Sequence, residues 1–146
     1  MAGITTLCAT NILKLILTAV AYANIADNAA SSPLTNLYIS AHTADPGASG
    51  TAVTSETSYT SYARQAVART TGGFSVTSGV ATFVANVVWP VSTSGTPTLT
   101  HFGVVSSSSG AGALYFMGTI TPNIVVSTSV VQTLAGGTSG TTITLS

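Results

Sequence analysis

Residues 37–47 read LYISAHTADPG, from Leu37 to Gly47. Strict alternation carries the reading: Leu37, Ile39 and Ala41 fall on one face of an extended chain, Tyr38, Ser40 and His42 on the other. Such a segment is a half-buried strand. Asp45-Pro46-Gly47 then ends it as a β-turn, with Asp at the first position, Pro fixing φ at the second and Gly supplying a positive φ at the third. The same stretch sets His42 three residues before Asp45, a spacing that invites a hydrolase or metal reading. The two residues straddle a strand end and a turn, so their side chains need not meet, and the turn gives Asp45 a sufficient structural reason.

From Leu37 onward the sequence continues in this style. Short runs of Val, Ile, Thr, Tyr and Phe alternate with Gly, Ser, Pro and Asn clusters. Strands are expected at 36–43, 62–70, 73–77, 80–88, 98–106, 113–120, 123–133 and 141–145. Turn signals fall at Thr71-Gly72-Gly73, Ser78-Gly79, Ser94-Gly95, Ser108-Ser109-Gly110, Pro122-Asn123 and Gly136-Gly137. In THFGVVS, Phe102 and Val104 oppose His101, Gly103 and Val105; in ALYFMGTI, Leu114 and Phe116 are expected in the core. Eight short, evenly spaced strands predict a mainly β chain, an antiparallel β-sandwich or jelly-roll-like barrel with one N-terminal α-helix. No fixed-period repeat marks a fibrous shaft.

The helix is expected over 11–28, with Ile12, Ile16 and Val20 stacking at i+4, Leu13 and Leu17 beside them, and Thr10 or Asn11 as N-cap. Lys14, the run Leu15–Ala23 and Ala21-Tyr22-Ala23 mimic a signal peptide. Nothing before Lys14 carries a side-chain charge, and the run is too short for a membrane span. A buried helix is the better reading, covered by a sheet or another subunit. The chain is expected to form a single domain over 1–146, with residues 1–35 as an N-terminal arm and helix and 36–146 as the sandwich.

Composition narrows the function. Lys14, Arg64, Arg69, Asp27, Asp45 and Glu56 are the only charged residues, 4% of the chain, against about 25% in ordinary soluble domains. The polar surface is hydroxyl instead, drawn from 26 Thr and 19 Ser. Three cations are too few for nucleic acid, which demands several phosphate contacts, or for an anionic membrane surface. With net charge zero, little electrostatic repulsion holds copies apart, which favours assembly. Cys8 is the single cysteine, so no intrachain disulfide forms, and it reads as a small buried apolar residue.

Motifs for chemistry are sparse. General acid–base work would draw on His42, His101, Asp27, Asp45 and Glu56, with no local pattern joining them. There is no G-x-S-x-G elbow, no phosphate-binding glycine motif, and no set of three or four clustered metal ligands. The chain is therefore expected to be non-enzymatic, with no cofactor. The long piece 44–61, TADPGASGTAVTSETSYT, has no apolar periodicity, and a loop of that length in a compact domain is usually functional or interfacial. Arg64, paired with Glu56 or Asp45, would tie it to the sheet. Asp45, Glu56, Tyr59, Tyr62, Arg64 and Arg69 are the candidate interface residues. Tyr59, Tyr62, Trp89 and Phe102 could form a sugar platform, although aromatics in a sandwich are more often core.

The order of segments also resembles a known group. LYISAHTADPG, YARQAVART, THFGVVSSSSGAGALYFMGTIT and the closing AGGTSGTTITLS are similar to segments of small tailed-bacteriophage virion structural proteins. That group includes capsid cement or decoration proteins, and its relatives are often labelled tail fibre proteins. The most specific pieces are Leu37-Tyr38, His42-Thr43 with Asp45-Pro46, Tyr62-Ala63-Arg64, and Thr100 to Gly103. The resemblance implies a structural role without catalysis. The expected place is the outer surface of the capsid, with the phage major capsid protein and copies of itself, as trimer or dimer, for partners. The alternative is a tail fibre or tail-tip component that binds host-surface glycans.

Overall fold

The structure is a computed structural model that describes residues 6–22 and 33–144. It contains, in chain order, α1 (Thr6–Thr18), β1 (Asn36–His42), β2 (Gln65–Ala68), β3 (Phe74–Thr77), β4 (Val80–Phe83), β5 (Val87–Trp89), β6 (Thr98–Val105), β7 (Leu114–Val125), β8 (Gln132–Leu134) and β9 (Thr142–Thr144). The chain is mainly β, with one helix and antiparallel sheets in a sandwich-like arrangement, as the alternation predicts. It forms two compact units. Of the described residues, one gathers 6–22, 33–36, 67–86 and 135–144; the other gathers 37–66 and 87–134.

In the first unit, β3, β4 and β9 form a three-stranded antiparallel sheet. Ser78 and Gly79 both take positive φ, 51° and 79°, between Thr77 and its partner Val80. That is the two-residue hairpin turn whose twist matches the strands it joins. Phe74 and Phe83 are cross-strand partners with ring centroids 5.5 Å apart. The helix packs on β3 and β4.

Its position departs from the expected 11–28. It begins by Thr6 and ends at Thr18, and residues 23–28 of the expected span lie outside the described residues. Thr10 and Asn11 are therefore interior rather than N-caps. The buried stripe is Ala9, Leu13 and Leu17 rather than Ile12, Ile16 and Val20; Val20 lies past the helix, 45% exposed. Both sets satisfy i+4 spacing, and the stripe that includes small Ala9 is the one that faces the sheet. Burying Leu13 and Leu17 contributes about 1.5–3 kcal/mol each. This exceeds the few tenths of a kcal/mol that Thr and Asn cost inside a helix.

In the second unit the sheet order is β2-β1-β6-β7. β1 and β6 pair antiparallel with Ile39 opposite Val104, Ala41 opposite Phe102 and His42 opposite His101. Leu37, Ile39, Ala41, Phe102 and Val104 make one buried face. β5 and β8 form a second, two-stranded sheet. It carries Trp89, which is fully buried and donates its indole N–H to the Ile39 carbonyl at 3.1 Å. Trp89 and Phe102 are thus core residues and not part of a sugar platform.

Two expected strands change shape. The 80–88 run breaks at Val84–Asn86, leaving β4 and β5 in different sheets; the Asn86 side chain there accepts the Gly136 N–H at 2.9 Å. The expected strands 113–120 and 123–133 become one long β7 and the short β8. Pro122 does not stop β7, because it sits in an irregularity of an outer strand. Leu99 pairs with Ile124 and His101 with Thr119, so four β7 residues face the single Thr100. A proline is tolerated at such a place, where no ladder N–H is needed. A second irregularity, at Val104/Val105, sets Leu114 opposite Val105.

Candidate functional site

The piece 44–61 is far more ordered than its composition suggests. Asp45 begins it: its carboxylate accepts the Gly47 N–H at 2.8 Å, and Gly47 takes φ 72°, the conformation the turn reading demands. The chain then returns along β1. Thr43 N–H donates to the Ser55 carbonyl and Thr57 N–H to the Ala41 carbonyl, both at 2.9 Å, and His42 bridges Glu56. Farther on, Thr60 bridges Ser94 and the Tyr59 hydroxyl donates to the Pro90 carbonyl at 2.8 Å. Ala52 is fully buried, with its N–H on the Gly112 carbonyl at 3.0 Å.

This return brings Glu56 to Arg64. Arg64 Nε lies 2.6 Å from Glu56 Oε1 and Nη2 lies 2.7 Å from Oε2, a two-pronged ion pair. The remaining guanidinium hydrogens go to the 106–113 turn: Nη1 to the Ser107 carbonyl at 3.0 Å and to Ser107 Oγ at 3.2 Å, Nη2 to the Gly110 carbonyl at 2.9 Å. All five guanidinium donors are committed. The Arg64 side chain is 2% exposed and that of Glu56 14%. Burial on that scale is tolerated because every donor has an acceptor. The carboxylate bond also raises the Arg64 pKa above its ordinary value.

Tyr62 completes the knot. Its hydroxyl accepts the Ala41 N–H and donates to Glu56 Oε1, both at 2.9 Å. Burial first, then the adjacent carboxylate, push its pKa well above that of a free phenol, so the hydroxyl keeps the proton it donates. Tyr59 meets Tyr62 edge-on, ring centroids 5.4 Å apart, and burial raises its pKa too. Glu56, Tyr59, Tyr62 and Arg64 line one open cleft of about 330 Å³, together with residues 108–110.

Four of the six candidate interface residues therefore converge. Asp45 serves its own turn, and Arg69 belongs to the other unit. Arg69 Nε and Nη2 reach the Ile16 and Leu15 carbonyls at 2.5 and 2.6 Å, at the C-terminal end of α1, where carbonyls lack helical partners and attract a cation. Ser107 and Gly110 were legible in the sequence only as a serine-rich turn. The signal for more was arithmetic: an arginine with five donors in a chain of three acids must find carbonyls.

The two histidines stand opposite each other across β1 and β6. His42 is fully buried; its Nδ1 lies 2.8 Å from the Thr54 carbonyl and its Nε2 2.8 Å from Ser40 Oγ. A carbonyl only accepts, so neutral His42 carries its proton on Nδ1 and accepts a hydrogen bond from the Ser40 hydroxyl at Nε2. Burial lowers its pKa, outweighing the Thr54 bond and the field of Glu56. Gly103 makes room for this pair: a Cβ there would lie 2.6 Å from Ser40 Oγ and 2.9 Å from His42 Nε2. His101 is half-buried, its Nδ1 2.9 Å from Thr100 Oγ1. Among the described residues no three His, Cys, Asp or Glu side chains cluster as metal ligands. No helix of the described residues is long and apolar enough to cross a membrane.

The geometry is that of a loop fastened rigidly to a sheet, with a charge-balanced, hydroxyl-rich surface around it. Comparison with known families gives this a context. A search of curated proteins finds no match. The family described as podophage GP4 fiber I protein gp80 matches residues 3–141 of the 146. That span includes the strand LYISAHTADPG, the Glu56–Arg64 knot and the whole of β7, so the chain belongs to the podophage GP4 fiber I protein gp80 family, a family of phage virion structural proteins.

Proposed function

We propose that this chain is a non-enzymatic structural subunit of a virion fibre. The observation that carries this reading is the family match over residues 3–141, whose description is that of a fiber protein. The physical chemistry is compatible. A fibre subunit must hold its shape while pressed against neighbours, and the buried Glu56–Arg64–Tyr62 knot fixes its longest loop without exposing a strong charge. The nearly uncharged surface favours contact with copies of itself or with other virion proteins over contact with polyanions.

Capsid cement is the second reading. It is favoured by the absence of any fixed-period repeat in the sequence, which suits a compact clamp better than a shaft. Particles assembled without this chain separate the two. The fibre reading expects heads that keep their DNA under heat and osmotic shock as the wild type does, with a fibre missing from the tail. Heads that leak at lower temperature while every fibre remains would overturn it in favour of cement.

A further inference from the structure

The cleft beside the Glu56–Arg64 pair holds hydrogen-bonding groups that the fastening of the loop does not use. Thr57 lines it, is 4% exposed, and among the described residues its Oγ1 meets no hydrogen-bond partner. A buried hydroxyl left unmatched costs stability, so a native one calls for a reason. The hydroxyls of Ser58, Ser108 and Ser109, exposed on the same walls, also make no hydrogen bond among the described residues. Glu56 keeps acceptor capacity: Tyr62 and Arg64 give its carboxylate three bonds, where a carboxylate has about four lone-pair sites. Ser55 and Ser61 bracket this segment with φ of 54° and 82°. Such conformations are uncommon outside glycine, and strain of this kind gathers at binding sites.

We propose that this cleft binds a small neutral polyhydroxylated molecule, a single saccharide unit. The walls exclude the other classes. Glu56 and Arg64 are the only ionised side chains there, they neutralise each other, and every guanidinium donor is committed. Neither an anion nor a cation finds a free counter-charge. An apolar molecule would cover hydroxyls and a carboxylate and return no hydrogen bond, and Ala63 is the one aliphatic side chain on the walls. The volume of about 330 Å³ lies at the small end of ligand sites, which run from about 300 to 1,000 Å³. It takes a small molecule rather than an element of a protein partner. An amide keeps its donor and its acceptor on separate atoms, whereas each Ser or Thr hydroxyl is both at once. Neighbouring ring hydroxyls share that duality. One can donate to Glu56 while the next exchanges bonds with Thr57 and the serines. The half-buried Tyr62 ring offers apolar surface to the C–H face of the sugar.

Titration of the nitrogen-15-labelled chain with glucose, galactose, mannose, rhamnose and N-acetylglucosamine, each separately, tests the assignment. At least one should move the amide signals of residues 56–64 and 107–110 saturably, with a dissociation constant on the order of millimolar, and leave those of α1 in place. Acetamide and cyclohexanol at the same concentrations should move neither set. Thr57→Val keeps the shape of the side chain and removes the unmatched hydroxyl. It should raise the urea midpoint yet weaken binding about fivefold, the loss of one hydrogen bond. Ser109→Ala, on the exposed wall, should weaken binding with the midpoint unchanged. The proposal is overturned if no saccharide moves the cleft signals, or if acetamide or cyclohexanol moves them as strongly. It is also overturned if Thr57→Val and Ser109→Ala both bind as the wild type does. The proposal rests on the cleft of the isolated chain, so its failure leaves the fibre reading to its own test.

Discussion

Arg64 and Arg69 are five residues apart and solve opposite problems. Arg64 is almost entirely removed from water, and a carboxylate, a hydroxyl and two carbonyls take all of its donors. Arg69 stays half-buried and lends its fork to carbonyls at the end of α1. The first arrangement leaves an unpaired buried charge when either partner is removed; the second leaves carbonyls that water can reach. One arginine is therefore a keystone and the other a cap. A chain with so few charges uses the same side chain for both tasks, and burial decides how much each is worth.

The contrast can be broken most sharply at the keystone. Arg64→Ala should cost about 3–5 kcal/mol, since Glu56 is stranded without its counter-charge, and should lower the midpoint of thermal unfolding by roughly 10 °C or more. Replacing both partners, Glu56→Leu with Arg64→Met, should recover most of that loss, because well-packed apolar groups often match a buried pair. A double variant no more stable than Arg64→Ala would show that the hydroxyl and carbonyl bonds, not the stranded charge, carry the effect.

Gly103→Ala is the next largest. The new methyl would press on Ser40, His42 and Leu114 at 2.6–2.9 Å, an overpacking cost of about 1–3 kcal/mol, read as a lower urea midpoint at unchanged slope. Arg69→Ala should cost less, about 0.3–1 kcal/mol as a helix-end cation. Its signature is faster amide exchange in α1 with the 43–57 amides unaffected, the reverse of the pattern expected for Arg64→Ala.

The remaining effect is that of pH. Burial holds the His42 pKa below its ordinary 6.5, so the unfolded chain binds the extra proton first. Stability from this group is complete above about pH 6.5 and falls as pH drops below it, by at most about 1.4 kcal/mol per pH unit. Urea midpoints at pH 7.5 and 5.5 should differ in the wild type and converge in His42→Gln. A fall of the same size in His42→Gln would assign the dependence to another group.

Much of this was legible in the sequence. The alternation in LYISAHTADPG fixes β1, and Asp45-Pro46-Gly47 fixes its turn, because both depend on neighbours a few residues away. Ser78-Gly79 was legible for the same reason. The helix stripe was not, because Ile12–Ile16 and Ala9–Leu13–Leu17 satisfy one periodicity and only the sheet beneath selects between them. Pro122 misled because its cost depends on whether the strand is central or outermost, a property of the topology. The knot was half legible: a tie from Arg64 to Glu56 or Asp45 follows from the scarcity of acids. The roles of Tyr62, Ser107 and Gly110 depend on contacts six to 46 residues apart.

The most direct test of the account is to see the chain in the particle. Cryo-electron microscopy of virions carrying a small tag on an exposed residue of this protein, such as Ser109, should place the added density on tail fibres at every occupied position, with the capsid shell unlabelled. Label distributed over the capsid lattice, with bare fibres, would contradict it.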